Sequence, residues 1–237
     1  MKRWADDVFQ PAPPAPLRYA PEAIIAALEP IALPERVARI DLAVASRIAS
    51  VVVVIESLSD PHNAAAILRT CDGLGVHEVD AIERDAHVLI TTRVTKGCEK
   101  WMDLRRHGSP EAGASSLRAR GYKLFVADMR ATTVLDEIAG MPRVALAFGN
   151  EKDGISRELR AAADGAFAVP MRGMVESFNV SVAAAITLGA VTKNRSGDLG
   201  DEEGLTLKAR FLMESVREPE MIIERYAHDH GLAPRGE

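Results

Sequence analysis

The chain has 237 residues, 47% of which are hydrophobic, and its formal net charge is −5. This length suits one domain with appended helices, and the composition is ordinary for a globular protein that buries a sizeable core. A mildly acidic chain argues against a basic surface spread over the whole protein, although a local basic patch for RNA is compatible with it.

Cysteine usage and hydropathy argue against several further classes of protein. The two cysteines, Cys71 and Cys98, stand outside any CxxC pair or Cys/His cluster, so neither a zinc site nor a disulfide framework is predicted. The amino terminus lacks the apolar run of a signal peptide, and no stretch approaches the roughly 18 apolar residues of a membrane span. We therefore expect a cytoplasmic protein with neither a metal ion nor a membrane partner.

Residues 1–49 are predicted to form an arm followed by helices. Prolines in the sequence QPAPPAP disfavour regular structure over residues 1–20. A helix that begins with proline is predicted over residues 21–28, and the apolar spacing predicts a second over residues 34–48. Residues 1–50 carry six basic and six acidic side chains, so this part of the chain is electrically balanced.

Strand and helix signals alternate over residues 50–195, which predicts an α/β domain with a mostly parallel sheet flanked by helices. The β-branched run VVVVIE at residues 51–56 predicts a strand buried on both faces. Further strands are predicted over residues 78–82, 123–127, 144–148 and 166–169, and helices over 63–74, 112–120, 157–163 and 180–193. Two amphipathic helices, over 205–217 and 219–230, predict a carboxyl-terminal helical extension over residues 196–237.

Ligands of open α/β sheets bind beyond the carboxyl ends of the strands, so the loops after residues 56, 148 and 169 are the most informative. The first loop opens the segment SLSDPHNAAAILRT, in which Asn63 suits a helix N-cap. Arg69 follows in a helix that should be largely buried, so its guanidinium is expected to have a definite partner. The plainer interpretation is that Asn63 only caps the helix and that Arg69 is solvated.

The second loop belongs to the segment FGNEKDGIS, residues 148–156. Its glycine spacing resembles half of a P-loop, but Ile155 and Ser156 replace the Lys-Ser/Thr pair, which disfavours binding of a nucleoside triphosphate. Ser156 can cap the helix that follows. Glu151 is either a solvated loop carboxylate or a group that orients a neighbouring cation.

The third loop belongs to the segment VPMRGMVESFNVSVAAA. Ser177 and Asn179 both suit the start of a helix, so capping is the simplest role for each. Met171 and Met174 lie in the loop, and apolar residues beside backbone amides suit an adenine and a thioether better than a phosphate.

A basic segment, TTRVTKGCEKWMDLRR, covers residues 91–106 and carries five basic residues against two acidic ones. Basic residues interleaved with an aromatic side chain can hold RNA. Arg93, Lys96, Lys100 and Trp101 are therefore candidates for RNA binding, and a charged surface loop is the equal alternative.

The three loop segments together resemble the SpoU/TrmH branch of the SPOUT RNA methyltransferases. DPHNAAAILRT resembles the first motif of that family, GNEKDGIS the second and VPMRGMVESFNVSVAAA the third. The resemblance spans roughly residues 50–195, with the motifs in the order of the family. TKGCEKW, GVHEV and the third motif are most similar to the tRNA guanosine 2′-O-methyltransferases of this branch.

This resemblance implies an enzyme that transfers a methyl group from S-adenosylmethionine to the ribose 2′-hydroxyl of a guanosine in tRNA, in the D-loop. It also implies a homodimer and a deep trefoil knot in the carboxyl half of the sheet, as in the SPOUT fold. The implied cofactor-binding residues are Ala127, Gly149, Val169, Met171 and Phe178. The implied catalytic residue is Arg69, supported by Asn63, Glu151, Ser177 and Asn179.

The proton of the 2′-hydroxyl needs an acceptor, and arginine is a poor base because its pKa exceeds ~12. Either a bound RNA phosphate accepts the proton while Arg69 aligns it, or Arg69 acts in an unusual deprotonated state. Both routes agree with the sequence.

Two features depart from the pattern of the family. Relatives often carry an arginine-rich amino-terminal helix, whereas charge is balanced here, and Phe178 stands where leucine is usual. The same reaction on ribosomal RNA or at another tRNA position is therefore the nearest alternative. A non-catalytic RNA-binding protein is an alternative of another class, and the complete catalytic set argues against it.

Overall fold

The computed structural model describes residues 8–9, 15–82, 90–91 and 97–235. These residues fall into two compact units. One unit contains Ile48–Arg195 together with the strand at 8–9, and the other contains the described residues of Pro14–Arg47 and Ser196–Glu237. Each unit is built on its own set of helices.

A six-stranded parallel sheet forms the centre of the first unit. Its strands are β2 (Ile48–Glu56), β3 (Val76–Ile82), β5 (Asp103–His107), β6 (Lys123–Ala127), β7 (Val144–Phe148) and β8 (Gly165–Phe167). Their order across the sheet is β5-β3-β2-β7-β6-β8. The prediction of a parallel sheet flanked by helices is therefore confirmed.

Strand β2 occupies the middle of the sheet because its β-branched run can be buried on both faces. Val51, Val53 and Ile55 pack into one apolar cluster, and Val52 and Val54 pack into a second cluster on the opposite face. All five side chains are inaccessible to solvent. This alternation follows from the two-residue period of a strand, which sends successive side chains to opposite faces.

Helices cover both faces of this sheet. They are α3 (Pro61–Gly73), α4 (Pro110–Ala119), α5 (Leu135–Ala139), α6 (Arg157–Ala162) and α7 (Val180–Thr192). Helices α3, α5 and α7 contribute to the cluster on one face, and α4 and α6 contribute to the cluster on the other. Because all the strands are parallel, their carboxyl ends meet at one edge of the sheet, where the loops of the candidate site lie.

Several predicted boundaries are corrected by the structure. The helix predicted over residues 34–48 ends at Ala45, because Ile48 already pairs with Val76 at the start of β2. The strand predicted over 166–169 is Gly165–Phe167, which leaves residues 168 and 169 in the loop. The basic segment is only partly a loop, because Cys98–Trp101 forms a 3₁₀ turn and Asp103–His107 forms the strand β5.

A second, two-stranded antiparallel sheet joins β1 (Val8–Phe9) to β4 (Ile90–Thr91). Part of the amino-terminal arm therefore belongs to the same unit as the large sheet. Arg93 and Lys96, which were predicted to bind RNA, lie outside the described residues.

The second unit consists of helices from both ends of the chain. These are α1 (Pro21–Leu28), α2 (Pro34–Ala45), α8 (Asp201–Ser215) and α9 (Pro219–Asp229). Lys208 joins three of them, since its Nζ lies 2.8 Å from Glu29 and 2.7 Å from Asp41. Within the described ranges, no helix is both long and apolar enough to cross a bilayer.

Candidate functional site

A cleft of about 800 Å³ lies beyond the carboxyl ends of β6, β7 and β8, beside the amino terminus of α7. It is lined by every residue predicted to bind the cofactor, namely Ala127, Gly149, Val169, Met171 and Phe178. Three of the predicted catalytic residues also line it, namely Glu151, Ser177 and Asn179. The structure therefore brings the second and third sequence motifs together around one cavity.

Loop 149–156 forms one wall of this cleft and turns back on itself tightly. Asn150 and Gly154 exchange two backbone hydrogen bonds, of 3.1 and 2.8 Å. Gly154 adopts a positive φ of 67°, a conformation that favours glycine. A Cβ atom at Gly149 would lie 2.3 Å from the backbone of Gly154, so only glycine fits at position 149 without displacing the loop.

The Glu151 carboxylate is held by donors on both of its oxygens. The amide and the hydroxyl of Ser59 donate to Oε2 at 3.1 and 2.7 Å, and Asn63 Nδ2 donates to Oε1 at 2.8 Å. Partial burial acts to raise the pKa of Glu151, but the hydrogen bonds from Asn63 and Ser59 outweigh it and lower the pKa to about 2. Glu151 is therefore an ionised acceptor at neutral pH.

Asn63 links Glu151 to the third motif. Its Oδ1 accepts a hydrogen bond of 3.0 Å from Asn179 Nδ2. Because a carboxylate only accepts, Asn63 must present its amide N–H to Glu151 and its carbonyl oxygen to Asn179. The prediction that Asn63 caps α3 is wrong: the N-cap is Asp60, whose Oδ1 accepts from the amide of His62 at 2.8 Å.

Asn179 also fixes the start of α7. Its Oδ1 accepts from the backbone N–H of Ser181 at 2.9 Å and from the Ser181 hydroxyl at 2.6 Å, so the predicted cap is confirmed for this residue. Ser177, the other residue predicted to suit a helix start, lies two residues before this N-cap and lines the cleft. Ser156 caps α6 as predicted, because its Oγ accepts from Leu159 N at 3.0 Å.

Arg69 differs from its prediction. Helix α3 buries Ile67 and Leu68, but Arg69 lies on the exposed side of the helix and does not line the cleft. Within the part of the chain that the structure describes, its guanidinium makes no hydrogen bond or ion pair. The described residues thus offer the expected partner nowhere, in agreement with the alternative of a solvated Arg69, and the guanidinium is accessible to a bound molecule.

The remaining candidates lie in the basic segment. Lys100 is exposed and Trp101 is half-buried, both in the 3₁₀ turn that precedes β5. The structure does not place either side chain in the lining of the cleft. Their role in RNA binding stays a prediction.

Sequence reasoning missed two features of the site. Ser59 gave no signal, because a serine in a polar loop is common. Asp128 follows β6 directly and lines the cleft, where it forms an ion pair with Arg160. A hydrogen bond from the Arg130 amide and the contact with Arg160 hold the pKa of Asp128 below its usual value, against a smaller opposing effect of burial. Its position at the carboxyl end of a strand was the signal that could have identified it.

The arrangement is suited to holding and orienting a bound molecule. Among the residues with described side chains, no group of three or more His, Cys, Asp or Glu side chains could hold a metal ion. The cleft combines an apolar floor, including Phe148 and Phe167, with amide and carboxylate groups at its rim. Such a site can bind a mostly apolar small molecule and orient a hydroxyl beside it.

Comparison with known families agrees with this geometry. Residues 50–189 match the SpoU rRNA Methylase family, and this range covers more than half of the chain, including all three motif segments. The chain belongs to the SpoU methylase family. The resemblance inferred from the three motifs is thereby confirmed.

Individual members of the SpoU methylase family are similar to this chain in sequence and in structure. A tRNA (guanosine(18)-2′-O)-methyltransferase from Thermus thermophilus is 37% identical over 158 residues, which cover 66% of this chain and 81% of that enzyme. The crystal structure of the A. aeolicus TrmH/SpoU tRNA modifying enzyme superposes with a TM-score of 0.62 and 26% identity, covering 83% of this chain and 96% of that one.

A second solved structure shares the fold. It is the SpoU methyltransferase AviRb from Streptomyces viridochromogenes in complex with the cofactor AdoMet. The TM-score is 0.57 and the identity 24%, over 65% of this chain and 60% of that one. The α/β fold with its six-stranded parallel sheet is thus shared with SpoU enzymes.

Proposed function

We propose that this protein transfers the methyl group of S-adenosylmethionine to the ribose 2′-hydroxyl of a guanosine in the D-loop of tRNA. The observation that carries the proposal is the hydrogen-bonded chain from Glu151 through Asn63 to Asn179 at the rim of the cleft. This series of hydrogen bonds joins all three motifs of a SpoU methylase. The name of the T. thermophilus relative supports a guanosine in tRNA as the target.

The cleft fits S-adenosylmethionine in volume and in chemistry. Its volume of about 800 Å³ lies within the range of small-molecule sites, roughly 300–1,000 Å³. Met171 and Phe178 offer apolar surface for the adenine and the thioether carbons, and backbone at Ala127, Gly149 and Val169 offers polar groups for the adenosine edge. When bound, this cofactor supplies an electrophilic methyl carbon on a sulfonium.

The residues at the rim position the RNA hydroxyl. Asn179 and Ser177 line the cleft with exposed side chains and can hydrogen-bond the ribose. Both oxygens of Glu151 already accept hydrogen bonds from Ser59 and Asn63, so this carboxylate is engaged within the protein and is not directed at the 2′-hydroxyl. Its role is to orient Asn63 and, through Asn63, Asn179. Holding the attacking oxygen in line with the methyl carbon supplies much of the rate.

Arg69 is proposed to act on the RNA. Its exposed guanidinium is suited to bidentate binding of a phosphate. A phosphate held by Arg69 would accept the proton of the 2′-hydroxyl, whereas deprotonation of Arg69 itself would require removal of a proton from a group of pKa above ~12. Free exposure of this side chain therefore favours the phosphate route.

We propose that the working form is a homodimer in the cytoplasm. Val182 and Ile186 are exposed apolar residues four positions apart on α7, and a third exposed apolar residue, Phe178, lies just before the N-cap of the helix. This spacing places Val182 and Ile186 on one stripe of the helix, and an apolar stripe of this kind is typical of a subunit interface. A second copy of the chain is its proposed partner.

We also propose that the carboxyl half of the sheet is tied into a deep trefoil knot. The support is the resemblance to SPOUT enzymes together with the order of strands, in which β7 lies between β2 and β6 and is followed by the two loops that line the cleft. Slow refolding compared with an unknotted α/β domain of this size is the expected consequence.

Lys100 and Trp101, with Arg93 and Lys96, are proposed to contact the RNA outside the reaction centre. Lys100 is exposed and Trp101 offers a partly accessible ring for stacking on a base. Phosphate contacts of this kind set affinity and register, whereas the rim of the cleft sets the reacting atom.

The proposal is tested by incubating the purified protein with methyl-labelled S-adenosylmethionine and with separate pools of tRNA and ribosomal RNA. Label in tRNA, mapped to the 2′-oxygen of one guanosine, is the expected result. Label in ribosomal RNA alone would contradict the tRNA assignment, and label in neither pool would favour an RNA-binding protein without activity.

A further inference from the structure

Loop 149–156, which carries Glu151, is attached at three points to the last residue of β2 and to the short connection that leads from β2 to α3. Asn150 Nδ2 donates to the carbonyl of Ser57 at 2.7 Å. Ser59 donates twice to Glu151, from its amide and from its hydroxyl. At the far end of the loop, the backbone amide of Ser156 donates to Glu56 at 2.8 Å. Residues 56–60 therefore hold the loop near its start, at Glu151 and at its end.

The attachment at Glu56 is completely buried. Glu56 has no accessible surface, and one carboxylate oxygen accepts from the Ser156 amide while the other accepts from the Ser156 hydroxyl. The Ser156 oxygen in turn caps α6 by accepting from Leu159 N. A buried carboxylate with two such donors is a firm anchor, because displacement of the loop would break both hydrogen bonds at a place that water does not reach.

Ser57 adopts a backbone conformation that residues other than glycine seldom have. Its φ is +49°, in the left-handed region. This turn lets the Ser57 amide donate to the carbonyl of Ile82 while the Ser57 carbonyl accepts from Asn150. Strained backbone that is held by neighbouring contacts is often found next to functional groups, and here it directs the chain toward Glu151.

Ser59 provides both donors that the structure shows on Oε2 of Glu151. The other oxygen, Oε1, accepts from Asn63 Nδ2 at 2.8 Å and from the Asp60 amide at 3.4 Å. Separate donors on the two oxygens stop the carboxylate from rotating about its last bond. Removal of the Ser59 hydroxyl would take away the shorter of the two bonds to Oε2 and leave the 3.1 Å bond from the Ser59 amide, so the carboxylate would be held less firmly and the direction of the bond to Asn63 would vary more.

We propose that Ser59 is a positioning residue of the methyl-transfer site, whose hydroxyl holds the Glu151 carboxylate in the orientation that aligns Asn63 and Asn179. This inference rests on the proposed function of the protein for its effect on rate. Ser59 touches neither the RNA nor the cofactor in this role, because it acts on Asn179 through Glu151 and Asn63.

The position of Ser59 permits a clean test of this role. Its side chain is exposed, so Ser59→Ala removes one hydroxyl without opening a cavity in the core. Ser59→Thr keeps the hydroxyl on the same backbone and is the matched control. Ser59→Ala therefore differs from both the wild type and Ser59→Thr mainly in lacking the second hydrogen bond to Glu151 Oε2.

The first measurement is the pKa of Glu151. It is obtained from a pH titration of the glutamate carboxyl carbons by ¹³C NMR in the full-length protein, and Glu151→Gln identifies the resonance. Ser59→Ala is expected to raise this pKa, and Ser59→Thr to leave it near the wild-type value. An unchanged pKa in Ser59→Ala would overturn the proposal. This pKa measurement does not depend on enzymatic activity, so it tests the role of Ser59 even if the wild-type protein labels no RNA. A lack of labelling by the wild type would contradict the proposed function alone.

The second measurement is steady-state methyl transfer with the tRNA pool. Ser59→Ala is expected to lower kcat by about tenfold to a hundredfold, with KM for S-adenosylmethionine within about twofold, because orientation rather than cofactor binding is lost. The thermal midpoint should match the wild type, and Ser59→Thr should recover most of kcat. A kcat for Ser59→Ala equal to that of the wild type would overturn the positioning role.

Discussion

Asn63 donates a hydrogen bond of 2.8 Å to Glu151, a residue 88 positions further along the chain. This contact fixes the orientation of the Asn63 side-chain amide and, with it, the direction of the hydrogen bond between Asn63 and Asn179. Because ionised Glu151 can only accept, Asn63 turns its carbonyl oxygen toward Asn179, whose own carbonyl oxygen then caps α7. A negative charge introduced at position 63 should therefore also disturb the hydrogen bond to Asn179.

Asn63→Asp tests this dependence. The new carboxylate would face Glu151 in place of an N–H donor, so one hydrogen bond is lost and two like charges come together. We expect methyl transfer at pH 7 to fall by about tenfold or more, since a lost bond to a charged group is worth roughly 1.5–3 kcal/mol. Asn194→Asp adds the same charge at an exposed position and should keep wild-type activity. Equal activity of the two variants would contradict a directing role for Asn63.

The low pKa of Glu151 predicts how stability depends on pH. Its folded value of about 2 lies below the ordinary 4.5, so hydrogen bonding of the carboxylate stabilises the fold above pH 4.5 and is lost as pH falls toward 2. The free energy of unfolding of Glu151→Gln should lie below that of the wild type by a constant amount above pH 5, and the gap should close between pH 4.5 and 2. Solvent exposure of Glu151 keeps this gap small.

Urea unfolding of both proteins at several pH values between 7 and 3 measures this gap. The plateau above pH 5 serves as the internal reference for each protein. A gap that widens as the pH falls would show that Glu151 is not held as an anion in the folded state.

Gly149→Ala should disrupt the cleft. The added Cβ would lie 2.3 Å from the carbonyl carbon and oxygen of Gly154, closer than non-bonded atoms approach, so loop 149–156 must shift. We expect the Kd for S-adenosylmethionine to rise by about tenfold, equivalent to roughly 1.4 kcal/mol. Isothermal titration calorimetry measures this change. Gly108→Ala, whose Cβ would meet no atom within 4 Å, is the control and should bind as the wild type does.

Arg69→Ala separates cofactor binding from transfer. Because Arg69 is exposed and does not line the cleft, its loss should leave the Kd for S-adenosylmethionine unchanged. Methyl transfer to tRNA should fall by about a hundredfold or more, as expected for loss of the group that holds the proton-accepting phosphate beside the 2′-hydroxyl. Arg225→Ala removes an equally charged side chain that is 86% exposed on α9 and should keep most of the activity. Full activity of Arg69→Ala would remove Arg69 from the mechanism.

Arg195→Met should destabilise the first unit. The Arg195 guanidinium follows α7 and donates to the carbonyls of Ala139 and Met141 and to the hydroxyl of Ser50. Methionine has similar length but no donor, so these acceptors lose a charged partner. We expect the free energy of unfolding to drop by about 2–3 kcal/mol. Thermal or urea unfolding measures it, with Lys193→Met as an exposed control that should change stability by less than ~0.5 kcal/mol.

The parts of the fold that could be predicted are those with local signals. The β-branched run of β2, the caps Ser156 and Asn179, and the proline that begins α1 all act within a few residues of themselves. The strand β5 was missed because its sequence, DLRRH, carries three basic side chains. Acidic side chains on the neighbouring strand contact two of these residues: Arg105 lies 3.7 Å from Glu78, and His107 lies 2.8 Å from Asp80. No pattern within the segment itself could reveal those partners.

The sequence by itself determined which loops form the site, because each loop follows a buried strand and carries its own turn and capping residues. Only the tertiary structure decided which of those residues meet. Asn63 and Arg69 lie six residues apart on α3, a rotation of about 240° around the helix, so one faces Glu151 and the other faces solvent. The bonds that join Asn63 to Glu151 and Asn179 span 88 and 116 residues. Such contacts depend on the order of the strands in the sheet, and this order cannot be inferred from any short segment of the sequence.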